Sequence, residues 1–324
     1  MAKEYAVSTL GVRAGTVRSQ FNEHSEALYL TSSFVFENAA QAAERFTGSG
    51  GGFVYSRFSN PTVTMFQDRL AALEGAGACV ATASGMSAIL AASMAVLKAG
   101  DHVVCSTAVF GSTVQLYATV LSRFGVETSF VSPTRVEQWE RAVKPTTRLF
   151  FVETPSNPLG EVSDIVALAA VAKRAGALLA VDNCFCTPAL QRPLELGADL
   201  VIHSATKYLD GQGRIIGGAV LGAKGPVMDG VFGFLRTAGP SLSPFNAWVI
   251  LKGMETLELR MLAQSARAQE LAQWLERHPR VSRVHYHGLE SHPQYALAKK
   301  QQRAAGAGAG ARETAATRLR NAPG

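Results

Sequence analysis

A lysine and an aspartate stand at the ends of two neighbouring apolar segments of this chain. Asp182 ends the run 178–182, and Lys207 lies 25 positions further on, in the sequence Ser204-Ala205-Thr206-Lys207. A lysine amine can hold an aldehyde as a Schiff base, and a carboxylate can keep a pyridinium nitrogen protonated so that the ring takes up electrons. The two residues therefore predict a site for pyridoxal 5'-phosphate (PLP).

Small and hydroxylated residues at two other positions predict where the phosphate of such a cofactor would bind. Ser84, Gly85 and Met86 join a predicted strand to an apolar helix. Backbone amides at a helix start attract a phosphate, and the helix dipole favours its negative charge. Ser204 and Thr206 would add hydroxyl donors. An ordinary helix cap explains the first group equally well.

Four further side chains are candidates for binding the same cofactor. Tyr55 offers a phenol and Arg57 a guanidinium suited to bidentate phosphate binding. Both precede the predicted cofactor-binding sheet in the sequence, so they could bind the cofactor of a neighbouring subunit instead of their own. Phe110 has a ring that could stack on a pyridine, with burial in a core as the alternative. Asn157 offers an amide, with turn formation before Pro158 as the alternative.

An alternation of short apolar runs with helical patterns is expected to position these residues. Between residues 60 and 245 the pattern predicts a mostly parallel, doubly wound sheet of the α/β class. Ligands of such sheets gather at the carboxyl ends of strands, where the candidate residues lie. The predicted strands are 80–82, 102–105, 127–131, 148–153, 178–182, 200–203 and 219–221, followed by 281–286. The predicted helices are 62–75, 87–97, 111–124, 135–143, 164–175, 188–196, 246–278 and 293–302.

Changes in composition divide the chain into four segments. Residues 1–59 form an N-terminal arm ending near the glycine-rich loop 48–52, and residues 60–245 form the large PLP-binding domain. Residues 246–302 begin a smaller C-terminal α/β domain. In the segment 303–324, 16 of 22 residues are Ala, Gly or Arg. That composition predicts a disordered tail without strands, because it cannot bury enough apolar surface.

Overall composition narrows the classes of function. Of the 324 residues, 47% are hydrophobic and 17% charged, which is typical of a globular enzyme. Half of the net charge of +6 lies in the segment 303–324. The sequence contains no compact cluster of Lys and Arg with interleaved aromatics, so nucleic-acid binding is not indicated. No segment predicts a membrane span or a signal peptide, so a cytoplasmic protein is expected. Cys184 and Cys186 lack the second pair of a metal site, and no metal is predicted.

The combined motifs resemble the Cys/Met-metabolism family of PLP-dependent enzymes, over roughly residues 5–302. That family includes cystathionine γ-synthases, cystathionine and methionine γ-lyases and O-acylhomoserine sulfhydrylases. Asp210-Gly211-Gln212-Gly213-Arg214 and Phe110-Gly111-Ser112-Thr113 are most like its O-succinylhomoserine sulfhydrylase branch. The other motifs are Tyr55-Ser56-Arg57, Asn60-Pro61-Thr62, Ser84-Gly85-Met86, Glu153-Thr154-Pro155-Ser156-Asn157-Pro158, Val181-Asp182-Asn183, Ser204–Tyr208, Gly253–Leu257 and Gly288–Pro293.

The resemblance implies a type I PLP fold and a γ-replacement that forms homocysteine from O-succinylhomoserine and sulfide, in methionine biosynthesis. Lys207 would then hold the aldehyde and move protons, Asp182 would hold the pyridinium proton, and Asn157 would contact the cofactor. Phe110 would stack on the ring, where most relatives have tyrosine. The cofactor phosphate would be bound by Ser84, Gly85, Met86, Ser204 and Thr206, and by Tyr55 and Arg57 of a partner chain within a homotetramer.

Three alternatives stay open at this point. The same cofactor could serve a cystathionine γ-synthase or a γ-lyase reaction. A non-catalytic subunit that binds PLP or assembles with relatives is the second alternative, and a nucleotide-binding oxidoreductase is the third. The family's C-terminal domain carries an arginine that clamps the substrate carboxylate, and nothing after Gln302 matches it. An incomplete C-terminal domain and weakened substrate binding are therefore expected.

Overall fold

The computed structural model describes residues 5–48, 50–308 and 310–313. It divides into two compact units. The first unit contains the chain up to Val96 together with Ile202–Leu257. The second unit contains Leu97–Val201 and the chain from Glu258 onward. The domain boundaries at 59, 245 and 302 stay a prediction.

The described strands form a seven-stranded sheet and a two-stranded sheet. Along the large sheet the strand order is β1-β7-β6-β5-β4-β2-β3, and the small sheet pairs β8 with β9. The strands are β1 Ala78–Thr82, β2 His102–Ser106, β3 Glu127–Val131, β4 Thr147–Glu153, β5 Leu178–Asp182, β6 Leu200–Ser204, β7 Gly218–Gly222, β8 Val281–His285 and β9 Gly310–Glu313.

The strands of the large sheet are mostly parallel, as the predicted α/β class requires. In the second unit β2 pairs in parallel with β3 and β4, and β4 pairs in parallel with β5. In the first unit β1 and β7 are antiparallel, with Thr82 opposite Gly218. The prediction of a mostly parallel α/β sheet is confirmed, and each strand predicted between 80 and 221 is present within two residues of its expected ends.

Helices alternate with the strands as the periodicity predicts. Their apolar faces cover the sheet, as in the second unit, where Trp139 of α6 packs against Phe150 of β4 with ring centroids 5.6 Å apart. The helices are α1 Val7–Arg13, α2 Ala39–Thr47, α3 Pro61–Glu74, α4 Gly85–Val96, α5 Gly111–Gln115, α6 Val136–Ala142, α7 Ile165–Arg174, α8 Thr187–Leu190, α9 Gly233–Ala238, α10 Pro244–Met254, α11 Leu257–Glu276 and α12 Tyr295–Gln301.

Three helices predicted as continuous are interrupted, and the one expected over 111–124 is α5 followed by a π-helical turn Leu116–Val120 and a 3-10 turn Leu121–Phe124. The helix expected over 246–278 is instead α10 and α11, separated at Glu255 and Thr256. The Thr256 hydroxyl donates to the Gly253 carbonyl at 3.4 Å, a local bond that competes with helix continuation. The helix expected over 188–196 is α8 followed by one 3-10 turn from Pro193, because a proline lacks the N–H that a continued helix requires.

The expectation of no strand beyond residue 302 is also wrong. Residues 310–313 form β9, which pairs antiparallel with β8. Upstream of it, the Arg303 N–H donates to the Leu190 carbonyl at 2.8 Å. Backbone pairing requires no apolar side chains, so Ala/Gly-rich composition alone did not indicate it. Residues 309 and 314–324 of the predicted tail lie outside the described residues.

Within the first unit, a buried ion cluster joins the predicted N-terminal arm to α3 and α10. The Glu26 carboxylate is bound by Arg69 of α3 and Lys252 of α10, and both Glu26 and Arg69 side chains are fully buried. Arg69 also donates from Nε to the Ala14 carbonyl at 3.0 Å. Burial raises the pKa of Glu26, but the hydrogen bonds from Lys252 and Arg69 outweigh it and bring the pKa down to about 2.

Substituting Glu26 by Gln is expected to destabilise the chain by about 3–5 kcal/mol at pH 7, because Arg69 would lose its buried counter-charge. A depressed carboxyl pKa contributes stability above the unfolded value of about 4.5 that is lost as pH falls toward 2. The difference in unfolding free energy between wild type and Glu26→Gln should therefore shrink between pH 4.5 and 2. Urea unfolding at several pH values measures it. Glu270→Gln, which breaks the exposed pair with Arg267, is the matched control and should cost under about 1 kcal/mol.

Across the described residues, no helix is both long enough and apolar enough to cross a membrane.

Candidate functional site

In the first unit, the start of α4 is built around close backbone packing. Ser84 caps the helix, because its Oγ accepts the Ser87 N–H at 3.1 Å. A Cβ on Gly85 would meet Ser204 Cβ at 2.8 Å, and a Cβ on Gly218 would meet the Ser84 carbonyl oxygen at 2.2 Å. The predicted phosphate residues Ser84, Gly85 and Ser204 are therefore brought together. The helix-cap interpretation of Ser84 also holds, so one hydroxyl serves the cap.

The segment after β6 forms a compact turn that presents Lys207. The Lys207 N–H donates to the Ser204 carbonyl at 3.1 Å, and its own carbonyl accepts the Gly211 N–H at 2.7 Å. The Lys207 side chain is exposed. The Thr206 Oγ1 accepts the Gly217 N–H at 3.1 Å, so this hydroxyl is already used within the chain. Its role as a phosphate donor stays a prediction.

Two contacts stabilise the turn that carries Lys207. The buried Asp210 carboxylate accepts the Arg214 backbone N–H and its Nε, each at 2.8 Å. A Cβ on Gly253 of α10 would lie 2.4 Å from the Leu209 carbonyl oxygen. Only glycine lets the helix backbone approach the turn this closely. The motifs at 210–214 and 253–257 therefore have structural roles around Lys207.

Gly85→Ala tests the packing at the start of α4. Alanine usually stabilises a helix relative to glycine by up to about 1 kcal/mol. Here its Cβ would overlap Ser204, so we expect a lower melting temperature and roughly tenfold weaker binding of inorganic phosphate or PLP. Gly233→Ala in α9, where a Cβ meets nothing within 4 Å, is the matched control and should be neutral or stabilising. An unchanged melting temperature and affinity in Gly85→Ala would contradict the expectation.

Tyr55 and Arg57 lie elsewhere in the first unit. The Arg57 guanidinium donates to the Arg236 carbonyl oxygen and lies over the ring of Phe58, 4.7 Å from its centroid. It is also 5.5 Å from the centroid of Tyr55, whose side chain is 40% exposed. The exposed Tyr55 and the half-buried Arg57 therefore belong to one aromatic and cationic cluster. Met86, the remaining phosphate candidate of this unit, is the second residue of α4.

In the second unit, two carboxyl groups end adjacent parallel strands. Asp182 ends β5 and stands in register with Glu153, which ends β4. Both are buried. Asp182 Oδ1 accepts the Cys184 N–H at 3.1 Å, which stabilises a carboxylate there. Burial raises the pKa of Glu153 to about 8, and the neighbouring Asp182 charge adds to the rise.

Phe110 and Asn157 follow strands of the same unit and are both exposed. Phe110 lies four residues after β2, and 55% of its surface is exposed, so the alternative of a core phenylalanine is wrong. Its N–H donates to Glu153 Oε2 at 2.9 Å. Asn157 lies between two cis peptide bonds, at Thr154–Pro155 and Asn157–Pro158. Sequence analysis did not single out Glu153, although the residue stood within a quoted motif.

A buried amide network supports these strand ends. Gln191 Nε2 donates to the Thr154 carbonyl at 3.1 Å and to Asn183 Oδ1 at 3.0 Å. Asn183 Nδ2 donates back to the Gln191 carbonyl at 2.8 Å. Gln302 Nε2 donates to Gln191 Oε1 at 3.0 Å. The loops after β4 and β5 are thereby joined to the segment that follows α12.

Each unit thus contains some of the residues predicted to bind the cofactor. In the first unit, a helix start, hydroxyls and a lysine suit a phosphate and an aldehyde. In the second unit, a carboxylate, an aromatic ring and an amide suit a protonated aromatic heterocycle. The described residues contain no cluster of three or more His, Cys, Asp or Glu that could hold a metal ion. None of the four cysteines forms a disulfide.

Known proteins are similar to this chain over most of its length and over about three quarters of their own. The family model described as Cys/Met metabolism PLP-dependent enzyme matches residues 8–310. The O-succinylhomoserine sulfhydrylase of Pseudomonas aeruginosa is 61% identical over 93% of this chain and 75% of its own. An L-methionine gamma-lyase of Porphyromonas gingivalis is 42% identical over 93% and 76%. The crystal structure of metB from Corynebacterium glutamicum is 34% identical over 94% and 77%, with a TM-score of 0.89.

Proposed function

This chain belongs to the Cys/Met-metabolism family of PLP-dependent enzymes, and on that basis we propose that it forms homocysteine from O-succinylhomoserine and sulfide. The observation that carries the proposal is the 61% identity to an O-succinylhomoserine sulfhydrylase over nearly the whole chain. PLP is the family's cofactor, and the fold is the type I α/β fold of that family.

The described residues fit PLP on structural grounds. The glycine at position 85 leaves the start of α4 without a Cβ that would overlap Ser204. A phosphate could approach the start of this helix, where the dipole favours an anion. When bound, PLP supplies an aldehyde that combines with amines and a ring that takes up electrons.

We assign the chemical steps to two residues. The Lys207 amine would hold the cofactor aldehyde, and once displaced by the substrate amine it would remove one proton from the substrate's Cα and one from Cβ. The Asp182 carboxylate would hold the proton on the ring nitrogen. Succinate would then leave from Cγ, sulfide would bond to the same carbon, and Lys207 would return the two protons to Cβ and Cα. Positioning a base next to the reacting carbon is worth on the order of 10²–10⁴ in rate.

The remaining site residues bind the cofactor in this proposal. Phe110 stacks on the ring and Asn157 contacts it. On the phosphate, Ser84, Gly85, Met86, Ser204 and Thr206 act from within the chain, and Tyr55 and Arg57 act across an interface with a second copy. A homo-oligomer, with a dimer as its smallest active form, follows from that assignment.

Product analysis of the purified full chain with PLP tests the reaction. We expect homocysteine from O-succinylhomoserine when sulfide is supplied, and smaller yields from the O-acetyl ester. Cystathionine formed preferentially from cysteine would identify a γ-synthase instead. Ammonia released without any added nucleophile would identify a γ-lyase.

A spectroscopic measurement separates binding from turnover. A visible band that forms with PLP but does not change with substrate would support the non-catalytic alternative and the expected weakening of substrate binding. No band from folded protein would overturn the proposal. Lys207→Ala, which lacks the amine, is the control for each assay.

A further inference from the structure

Glu153 links the two loops that carry Phe110 and Asn157. It ends β4, and its side chain is buried. Oε2 accepts the Phe110 N–H at 2.9 Å, and the backbone N–H of Asn157 lies near the same carboxyl and favours its charged form. One side chain therefore lies against the backbone of both residues to which the proposed function assigns ring contacts.

The two oxygens of Glu153 have different surroundings. Oε2 has the Phe110 N–H as its partner, whereas Oε1 is buried and has no hydrogen-bond partner among the described residues. A buried oxygen without a donor nearby is a costly place for negative charge. A hydroxyl proton on Oε1 would remove that charge.

The titratable groups around Glu153 also favour its neutral form. In the second unit, the titratable groups that act on Glu153 are Asp182 on β5 and Cys105 on β2. Neither group is cationic. Partner residues on adjacent parallel strands point to the same face of a sheet, so two carboxylates at 153 and 182 would repel. Glu153 is the more deeply buried of the two, with 2% of its surface exposed against 8% for Asp182, and its Oε1 lacks a donor, so the proton belongs on Glu153.

We propose that Glu153 is a positioning residue that stays a neutral carboxylic acid at neutral pH, tying Phe110 and Asn157 to the end of β4 and leaving the negative charge on Asp182. The proposal rests on the proposed function for its role toward PLP. The protonation state itself does not depend on that function.

Glu153→Gln tests the protonation state without cofactor. Glutamine matches a neutral glutamic acid in shape and keeps an oxygen acceptor, but it cannot ionise. A raised carboxyl pKa stabilises the fold below the unfolded value of about 4.5, and this contribution is lost as pH rises toward about 8. We therefore expect the melting temperature of Glu153→Gln to rise relative to wild type between pH 4.5 and 8, and the difference to level off above 8.

Glu137→Gln, at an exposed glutamate of α6, is the matched control for the exchange itself. Its change in melting temperature is subtracted at each pH. A difference between Glu153→Gln and wild type that stays constant across this range would overturn the neutral-acid assignment. So would failure of Glu153→Gln to fold.

PLP affinity tests the positioning role. Glu153→Ala removes the acceptor of the Phe110 N–H and leaves Phe110 and Asn157 less firmly positioned, so PLP should bind about tenfold more weakly. Glu153→Gln should rescue binding to within about threefold of wild type, as measured by titration of the visible band. Glu153→Gln binding as weakly as Glu153→Ala would show that the charge is needed and overturn the proposal. If wild type bound no PLP, the proposed function would fail, and the melting series would still decide the protonation state.

Discussion

Replacing Lys207 by alanine is expected to abolish turnover of O-succinylhomoserine, with a loss of about 10³–10⁴-fold or more. In the proposed mechanism the amine both holds the cofactor aldehyde and moves protons on the substrate, so its removal would disable two steps at once. The turn that presents Lys207 is held by backbone bonds to Ser204 and Gly211 and by the Asp210–Arg214 pair. The fold should therefore survive the substitution.

Two matched variants make the Lys207 measurement specific. Lys207→Arg keeps the positive charge but cannot form the Schiff base at neutral pH, so it should fail like alanine. Lys224→Ala removes another exposed lysine of the first unit and should retain wild-type activity. The measurements are homocysteine formation and the visible spectrum with PLP. Activity of Lys207→Ala within tenfold of wild type would contradict the assignment of the base.

Asp182→Asn is expected to lower kcat on the order of 10²–10³-fold, because a preorganised charge in a buried site is removed. The substitution preserves shape and still offers an oxygen to the Cys184 N–H. PLP should still bind, although more weakly, since the charge-assisted bond to its ring nitrogen is lost. Steady-state kinetics at saturating PLP separate the loss in kcat from the loss in cofactor affinity.

Asp199→Asn is the matched control for Asp182. The Asp199 carboxylate also accepts a backbone N–H, from Leu179 at 2.8 Å, but it precedes β6 instead of ending a strand. We expect nearly normal kcat in that variant. If Asp182→Asn kept kcat within about threefold of wild type, the assignment of Asp182 as the ring-nitrogen partner would be wrong.

The parts of the fold that local sequence determines were predicted from sequence. Buried parallel strands are mostly apolar, so β5 was predicted with its observed bounds. Motif spacing placed Asp182 at the end of β5 and Lys207 just after β6, where the structure has them. The phosphate residues and the roles of Phe110 and Asn157 toward a cofactor stay predictions.

Interruptions of helices were not predictable from apolar periodicity. The helical pattern continues across Glu255 and Thr256, but the Thr256 hydroxyl bonds to the Gly253 carbonyl there. Likewise, β9 consists of residues whose composition indicates no strand, and it forms by pairing with β8. Both outcomes depend on partners that a sequence window does not contain.

The sequence by itself determined the fold class and the family, and it predicts Lys207 and Asp182 as the reactive pair, because these depend on residue types and spacing along the chain. Only the tertiary structure decided the surroundings of Glu153. Strand register places that carboxyl beside Asp182, and the fold buries it and directs the Phe110 N–H to one of its oxygens. The proton affinity of a side chain depends on its desolvation and on charges from other strands, and neither exists until the chain is folded.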